Sequence, residues 1–219
     1  MKVKHYGLLF FLTLLLGVMS SASAVAAELL PAQQAIEDAS SKLKERMKDK
    51  TFIQDFAKIT QFVNDAINPH TDFDKISALV LGQNWKTATA DERERFKHEF
   101  QTLLVRTYSR AFVEFKDWSV QYLPIEMEDG SNKVIVKTEV LQPGVQPVAV
   151  NYRMFLGADG VWKAYDIIIE GVSLVTNYRT TFSNEVRNKG SLNAVIESLA
   201  KRNAEALANK SSANTKENS

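Results

Sequence analysis

Cysteine is absent from all 219 residues. A disulfide scaffold, a thiolate nucleophile and a cysteine-ligated metal site are thereby excluded. Histidine is almost as scarce, at three. His5 lies in an N-terminal leader, which leaves His70 and His98, too far apart to give a recognisable zinc spacing. Glycines number nine, and none forms a Gly-rich phosphate loop. The acidic stretch "EDGSN" lacks the EF-hand pattern. An excess of one charge is missing too: 27 Lys and Arg face 26 Asp and Glu, and without Lys2 and Lys4 the 27 become 25. That balance argues against a general nucleic-acid binder. No internal repeat is visible.

Long apolar runs are limited to one. Gly7 to Met19 is interrupted only by Thr13 and falls short of the roughly 20 residues a membrane span needs. Lys2 and Lys4 precede it, and "SSASAVAA" follows, ahead of Glu28. This is the pattern of a secretory signal peptide cleaved near Ala26 or Ala27, with no cysteine there for lipoprotein attachment. The expected organisation is a signal peptide over 1–27, a single domain over 28–208 and a disordered polar tail over 209–219. With 45% hydrophobic residues the domain can bury one good-sized core.

What is present reads as helices, then strands, then helices. Pro31 to Lys48 has helix-forming composition, and Phe52, Phe56, Ile59 and Val63 continue a helical stripe until Asn68–Pro69 stops it. A short helix spans Asp72 to Leu81, with Gly82 as its cap. The strongest helix follows. Thr89 and Glu92 make a capping box, and Phe96, Phe100, Leu103, Leu104, Tyr108, Ala111, Phe112 and Phe115 form one stripe on a helix about 39 Å long. Trp118–Leu123, Lys133–Val140, Pro147–Leu156 and Trp162–Glu170 then read as four strands joined by short Gly-bearing turns, an antiparallel meander. Val134, Val136 and Thr138 alternate with Ile135, Lys137 and Glu139; Val148, Val150 and Tyr152 lie opposite Ala149, Asn151 and Arg153. Gly171 breaks the last strand, Ser173 is placed as an N-cap, and Leu174, Val175, Tyr178, Phe182 and Val186 form a helical stripe ended by Gly190. A last helix carries Leu192, Val195, Ile196 and Leu199. The fold class is α+β, a four-stranded antiparallel sheet packed against several helices.

Catalytic readings have little support. Gly171–Val172–Ser173 starts a nucleophile elbow, but the pattern's last position is Val175 and no histidine follows to serve as base. Asp166 with Tyr108 can be imagined as an acid–base pair in a cone-shaped cavity; the plainer reading pairs Asp166 and Glu170 with Arg or Lys. A third possibility is an exported adaptor with a filled core. Apolar stripes facing a Val- and Ile-rich sheet do not by themselves prove a cavity.

Two blocks go further. "LVLGQNWKTATADERERFKHEFQTLLVRTYSRAF" and "WKAYDIIIEGVSLVTNYRTTFSNEV" resemble the MlaC family, also called the toluene-tolerance Ttg2 family. The resemblance covers roughly Gln33 to Asn203. It rests on L-G-x-x-W-x-x-A-T from Leu81, L-x-x-x-Y from Leu104, and Y-D-x-x-x-E-G-V-S from Tyr165. It implies a non-enzymatic periplasmic phospholipid carrier with an apolar lipid cavity and no cofactor beyond its bound lipid. The implied partners are an outer-membrane lipoprotein–porin complex and an inner-membrane ABC transporter complex with an MCE-domain subunit; the implied role is maintenance of outer-membrane lipid asymmetry. The residues then expected to touch lipid tails are Leu104, Tyr108 and Phe112 on the long helix, Val136, Val148, Val150 and Tyr152 on the sheet, and Val172, Leu174 and Val175 after it. Arg106, Arg110, Arg153, Lys163 and Arg179 are candidates for charged contacts with partners.

Overall fold

A computed structural model describes residues 28–217 apart from 50, 115, 116, 126 and 129. The leader expected over 1–27 lies outside the described residues. Helix α1 (Pro31–Arg46) starts with proline at its first position and a glutamine at N3: Gln33 reaches back to the Leu30 N–H at 2.9 Å. The next helical stretch is interrupted where the sequence pattern is continuous. A 3₁₀ turn (Phe52–Gln54) gives way to α2 (Phe56–Phe62), because the Asp55 carboxylate accepts from Ala57 N at 2.9 Å and Lys58 N at 3.2 Å and restarts the helix. A π turn (Val63–Ile67) and a 3₁₀ turn through Pro69 close the stretch.

Helix α3 (Phe73–Leu81) is capped by Asp72, and Gly82 follows at φ +57°. A single turn, α4 (Gln83–Thr87), leads to α5 (Ala90–Glu114). The capping box of α5 is reciprocal: Glu92 N donates to Thr89 Oγ1 at 3.2 Å, and Thr89 N to Glu92 Oε2 at 2.9 Å. Trp85 of the L-G-x-x-W block is gripped by Arg93, whose guanidinium lies 5.2 Å from the ring and donates to the Trp85 carbonyl at 3.0 Å. Arg179 closes the C-terminal end of α3 by donating to the Leu79 carbonyl at 2.6 Å.

The sheet has five strands, one more than the sequence pattern predicts. β1 (Ser119–Tyr122), β2 (Lys133–Leu141), β3 (Val148–Leu156), β4 (Trp162–Ile169) and β5 (Val172–Ser173) lie antiparallel in chain order. The extra strand exists because Glu170 (φ 49°) and Gly171 (φ +80°) make a two-residue turn with both central residues at positive φ, so the chain doubles back and pairs Ile169 with Val172. The Glu170 carboxylate supports this turn by accepting from Ala149 N. Ser173 then caps α6 (Leu174–Lys189), its hydroxyl accepting from Thr176 N at 3.1 Å, and left-handed Gly190 ends that helix. Helix α7 runs from Leu192 to Glu217, through backbone that composition assigns to a tail without fixed structure.

Buried side chains fall into separate clusters. One joins only helices and their connections: Val80, Leu81, Phe96, Phe100, Phe182 and the α7 stripe Leu192, Val195, Ile196 and Leu199. Its centre is aromatic, with Phe96 and Phe100 stacked at 5.6 Å and Phe182 edge-on to both, at 5.0 and 5.7 Å. The other large cluster joins α1 to the sheet: Ala32, Ala35 and Ile36 cover Val134, Val136, Met154, Trp162 and Ala164. A small third one surrounds Phe52 and Phe62. Among the described residues, no cluster unites the long helix with the sheet.

Candidate functional site

Strand register decides which side chains share a face. Opposite residues of antiparallel strands point the same way, so Val140 with Val148, Thr138 with Val150, Val136 with Tyr152 and Val134 with Met154 form one surface, which Ile167 and Ile169 of β4 continue. The surface is apolar apart from the Thr138 and Tyr152 hydroxyls, but α1 covers only part of it. Val134, Val136 and Met154 are sealed beneath α1, whereas Val140, Val148, Val150, Tyr152, Ile167 and Ile169 remain half-buried. A half-buried row of aliphatic side chains with little polar relief is the composition of a cleft for an apolar ligand.

Two polar side chains on this surface partner each other. Thr138, fully buried, donates its hydroxyl to the Val150 carbonyl at 2.6 Å, and Tyr152 hydrogen-bonds to Thr138. Burial pushes the Tyr152 phenol up to about 12. Tyr178 is likewise raised to about 12, first by burial and then by neighbouring Tyr108. Both phenols stay neutral at ordinary pH, so neither places a charge against the apolar row.

The predicted lipid contacts divide accordingly. Val148, Val150 and Tyr152 lie on the open part of the face, and Leu174 is half-buried at the start of α6. Leu104 and Tyr108 are half-buried on α5, Leu104 against the helical core. Val136 is fully buried under α1 and Val175 belongs to the helical core, so both support the walls from within. Val172 is 57% exposed, at the sheet edge. Phe112 lies in α5, but its side chain is outside the described residues. Val140, Ile167 and Ile169 complete the face and are absent from the predicted contacts. Three consecutive isoleucines at 167–169 hide the period-2 alternation that would have revealed which point inward.

Asp166 is engaged by three hydrogen-bond donors. It is 3% exposed, and its Oδ2 accepts from Ser173 Oγ at 2.7 Å and from Arg153 Nη1 at 3.2 Å, while Oδ1 accepts from Val175 N at 3.1 Å. Ser173, with its hydroxyl so engaged, is a helix cap, and His70 is paired elsewhere, 3.3 Å from Asp38. The candidate docking cations are also occupied internally. Arg106 donates to Asn203 at 2.8 Å, Lys163 to Asp159 at 2.6 Å and Arg179 to the Leu79 carbonyl; the Arg110 side chain is outside the described residues. A separate cleft of about 580 Å³ is lined mainly by polar and charged groups, with Lys97 bridging Asp74 and Glu94 at 2.9 Å each, the wrong chemistry for acyl chains. Among the described residues no group of three or more His, Asp or Glu can hold a metal, and no helix is long and apolar enough to cross a membrane.

An α+β domain with an open antiparallel sheet, its apolar face only partly covered, defines the class. Within that class the match is specific: the family model described as MlaC protein covers residues 37–201, and the chain belongs to this family. A curated relative, the intermembrane phospholipid transport system binding protein MlaC of Haemophilus influenzae, is 28% identical over 56% of this chain and 58% of its own length. The toluene tolerance protein ttg2D of Pseudomonas putida is 24% identical over 58% of this chain and 59% of its own length. The chain thus spans somewhat over half the length of these relatives. A solved phospholipid-binding protein from Ralstonia solanacearum, in complex with a phospholipid, superposes with a TM-score of 0.76 at 28% identity, covering 81% of this chain and 99% of that one.

Proposed function

We propose that this chain is a periplasmic phospholipid carrier, holding acyl chains against the uncovered apolar face and moving lipid between the outer membrane and an inner-membrane ABC transporter complex. The observation that carries the reading is the half-buried row Val140, Val148, Val150, Ile167 and Ile169, left outside both large cores, with Tyr152 packed at the margin of the α1–sheet cluster. Membership of the MlaC family and the phospholipid held by the Ralstonia relative support it. Each exposed CH₂ costs about 0.8 kcal/mol in water, so two acyl chains cost on the order of 20 kcal/mol, and lipid needs a shielded route through an aqueous compartment. The leader pattern supports export. The donor and acceptor are an outer-membrane lipoprotein–porin complex and an ABC transporter with an MCE-domain subunit, and the physiological result is maintenance of outer-membrane lipid asymmetry. Binding and release suffice for this work, with no covalent step and no cofactor.

Native mass spectrometry of the mature protein, purified without detergent, tests the reading directly. The expected result is a stoichiometric adduct of phospholipid mass, confirmed by organic extraction. A bare polypeptide mass that persists after incubation with phospholipid vesicles overturns it.

A further inference from the structure

We infer that Asp166 is a positioning residue of the lipid cleft, a clasp that holds three cleft-forming elements together from behind. The inference rests on the carrier reading proposed above. Asp166 occupies a position on β4 opposite Arg153, on the reverse side of the sheet from Ile167 and Ile169. The register shifts between Arg153 and Met154, leaving Tyr165 as the extra residue on β4, and such a bulge re-aims the side chains beside it. Here it accompanies a carboxylate turned into the protein. Burying that charge is unfavourable unless it is paired and hydrogen-bonded, and three donors converge on it.

Those donors come from three different places. Arg153 is on β3, between Tyr152 and Met154. Ser173 ends β5 and caps α6, and Val175 N is one of the unpaired amides in the first turn of α6, where the helix dipole favours an anion. One carboxylate therefore fixes β3, β4 and the start of α6 relative to one another. The two strands carry part of the apolar surface next to the clasp, Tyr152 on β3 and Ile167 and Ile169 on β4, and α6 opens beyond it with half-buried Leu174. The grip comes from the side opposite the cargo, so Asp166 sets the spacing of the walls without touching lipid. This also gives a physical reason for the spacing of Tyr165–Asp166 and Gly171–Val172–Ser173 in the sequence block. The two-residue turn at Glu170–Gly171 is the tightest way to return Ser173 to Asp166, seven positions on.

The test measures release of phosphatidylglycerol carrying a fluorescent acyl chain from loaded protein to unlabelled vesicles. Asp166→Asn, Ser173→Ala and Arg153→Met should each speed release, by about tenfold where a charge-assisted bond is lost. Ser173→Thr, which keeps the hydroxyl, should release at the wild-type rate. Arg153→Met leaves both helix-capping bonds in place, so it keeps the test decisive if Asp166→Asn does not fold. Release unchanged in the folded variants, with only the thermal midpoint lowered, overturns the inference and leaves the carrier reading standing. Failure of the wild-type chain to take up the labelled lipid sinks both.

Discussion

Individual valines on one sheet face have different jobs, and burial separates them. Val136 is fully enclosed beneath α1, so Val136→Ala should cost about 1–3 kcal/mol in chemical denaturation through lost packing. Val148 is half-buried at the open end of the face. Val148→Glu should therefore keep the fold and lose recoverable lipid; full lipid content in that variant would count against the cleft. Buried tyrosines, Tyr152 and Tyr178 among them, set an alkaline limit. In the unfolded chain a phenol ionises near 10, while folded Tyr152 and Tyr178 hold their protons to about 12. Above pH 10 the unfolded state binds fewer protons than the native one, so their stabilising contribution is complete below pH 10 and declines between 10 and 12. Denaturation midpoints measured across that window should fall, and less steeply in Tyr152→Phe. Residue alternation on β2 and β3 was readable from sequence because Lys137, Glu139, Asn151 and Arg153 interrupt the apolar residues at every second position. The Ile167–Ile169 run was not, because every position is apolar and only register fixes the face.

Elements were most legible where a cap announces them. The Thr89–Glu92 box opens α5 as its spacing predicts, and Thr89→Ala should lower stability by about 1 kcal/mol in urea titration. The break at Asp55 was hidden because the apolar stripe continues across it, and an aspartate in mid-stripe looks like a solvated position until its carboxylate is seen to accept two helix amides. The fifth strand was hidden for a different reason. Two residues are too few for a pattern, and β5 arises from the turn before it, not from the side chains of Val172 and Ser173. Gly171 sits at φ +80°, so Gly171→Ala should cost about 1 kcal/mol and weaken the attachment of α6, read as an earlier thermal transition. Helix α6 itself needs no such inference, since Ser173 and Gly190 mark its two ends in the sequence and in space.

Among the described residues the molecule has two large cores and a small third one, with an apolar surface left over. Helix α5 is pinned to α7 by polar contacts: buried Asn203 accepts from Arg106 at 2.8 Å and donates to the Glu99 carbonyl at 2.9 Å. These contacts join the two helices within the helical layer. Sequence patterns located both apolar layers, but they could not reveal that the two are sealed separately, because a stripe looks the same whether it meets another stripe or a ligand. A protein that leaves part of a Val- and Ile-rich sheet uncovered also runs a risk of polymerising when empty, strand edge to strand edge. Its borders are poorly suited to that. One edge strand, β1, has four residues and the other, β5, has two before the chain turns into a helix. Neither offers a long row of free amides and carbonyls for a neighbouring copy to extend. The short return strand at Val172–Ser173 thus acts as a selvedge at the end of β4, closing Ile168 and Ile169 to a neighbouring copy.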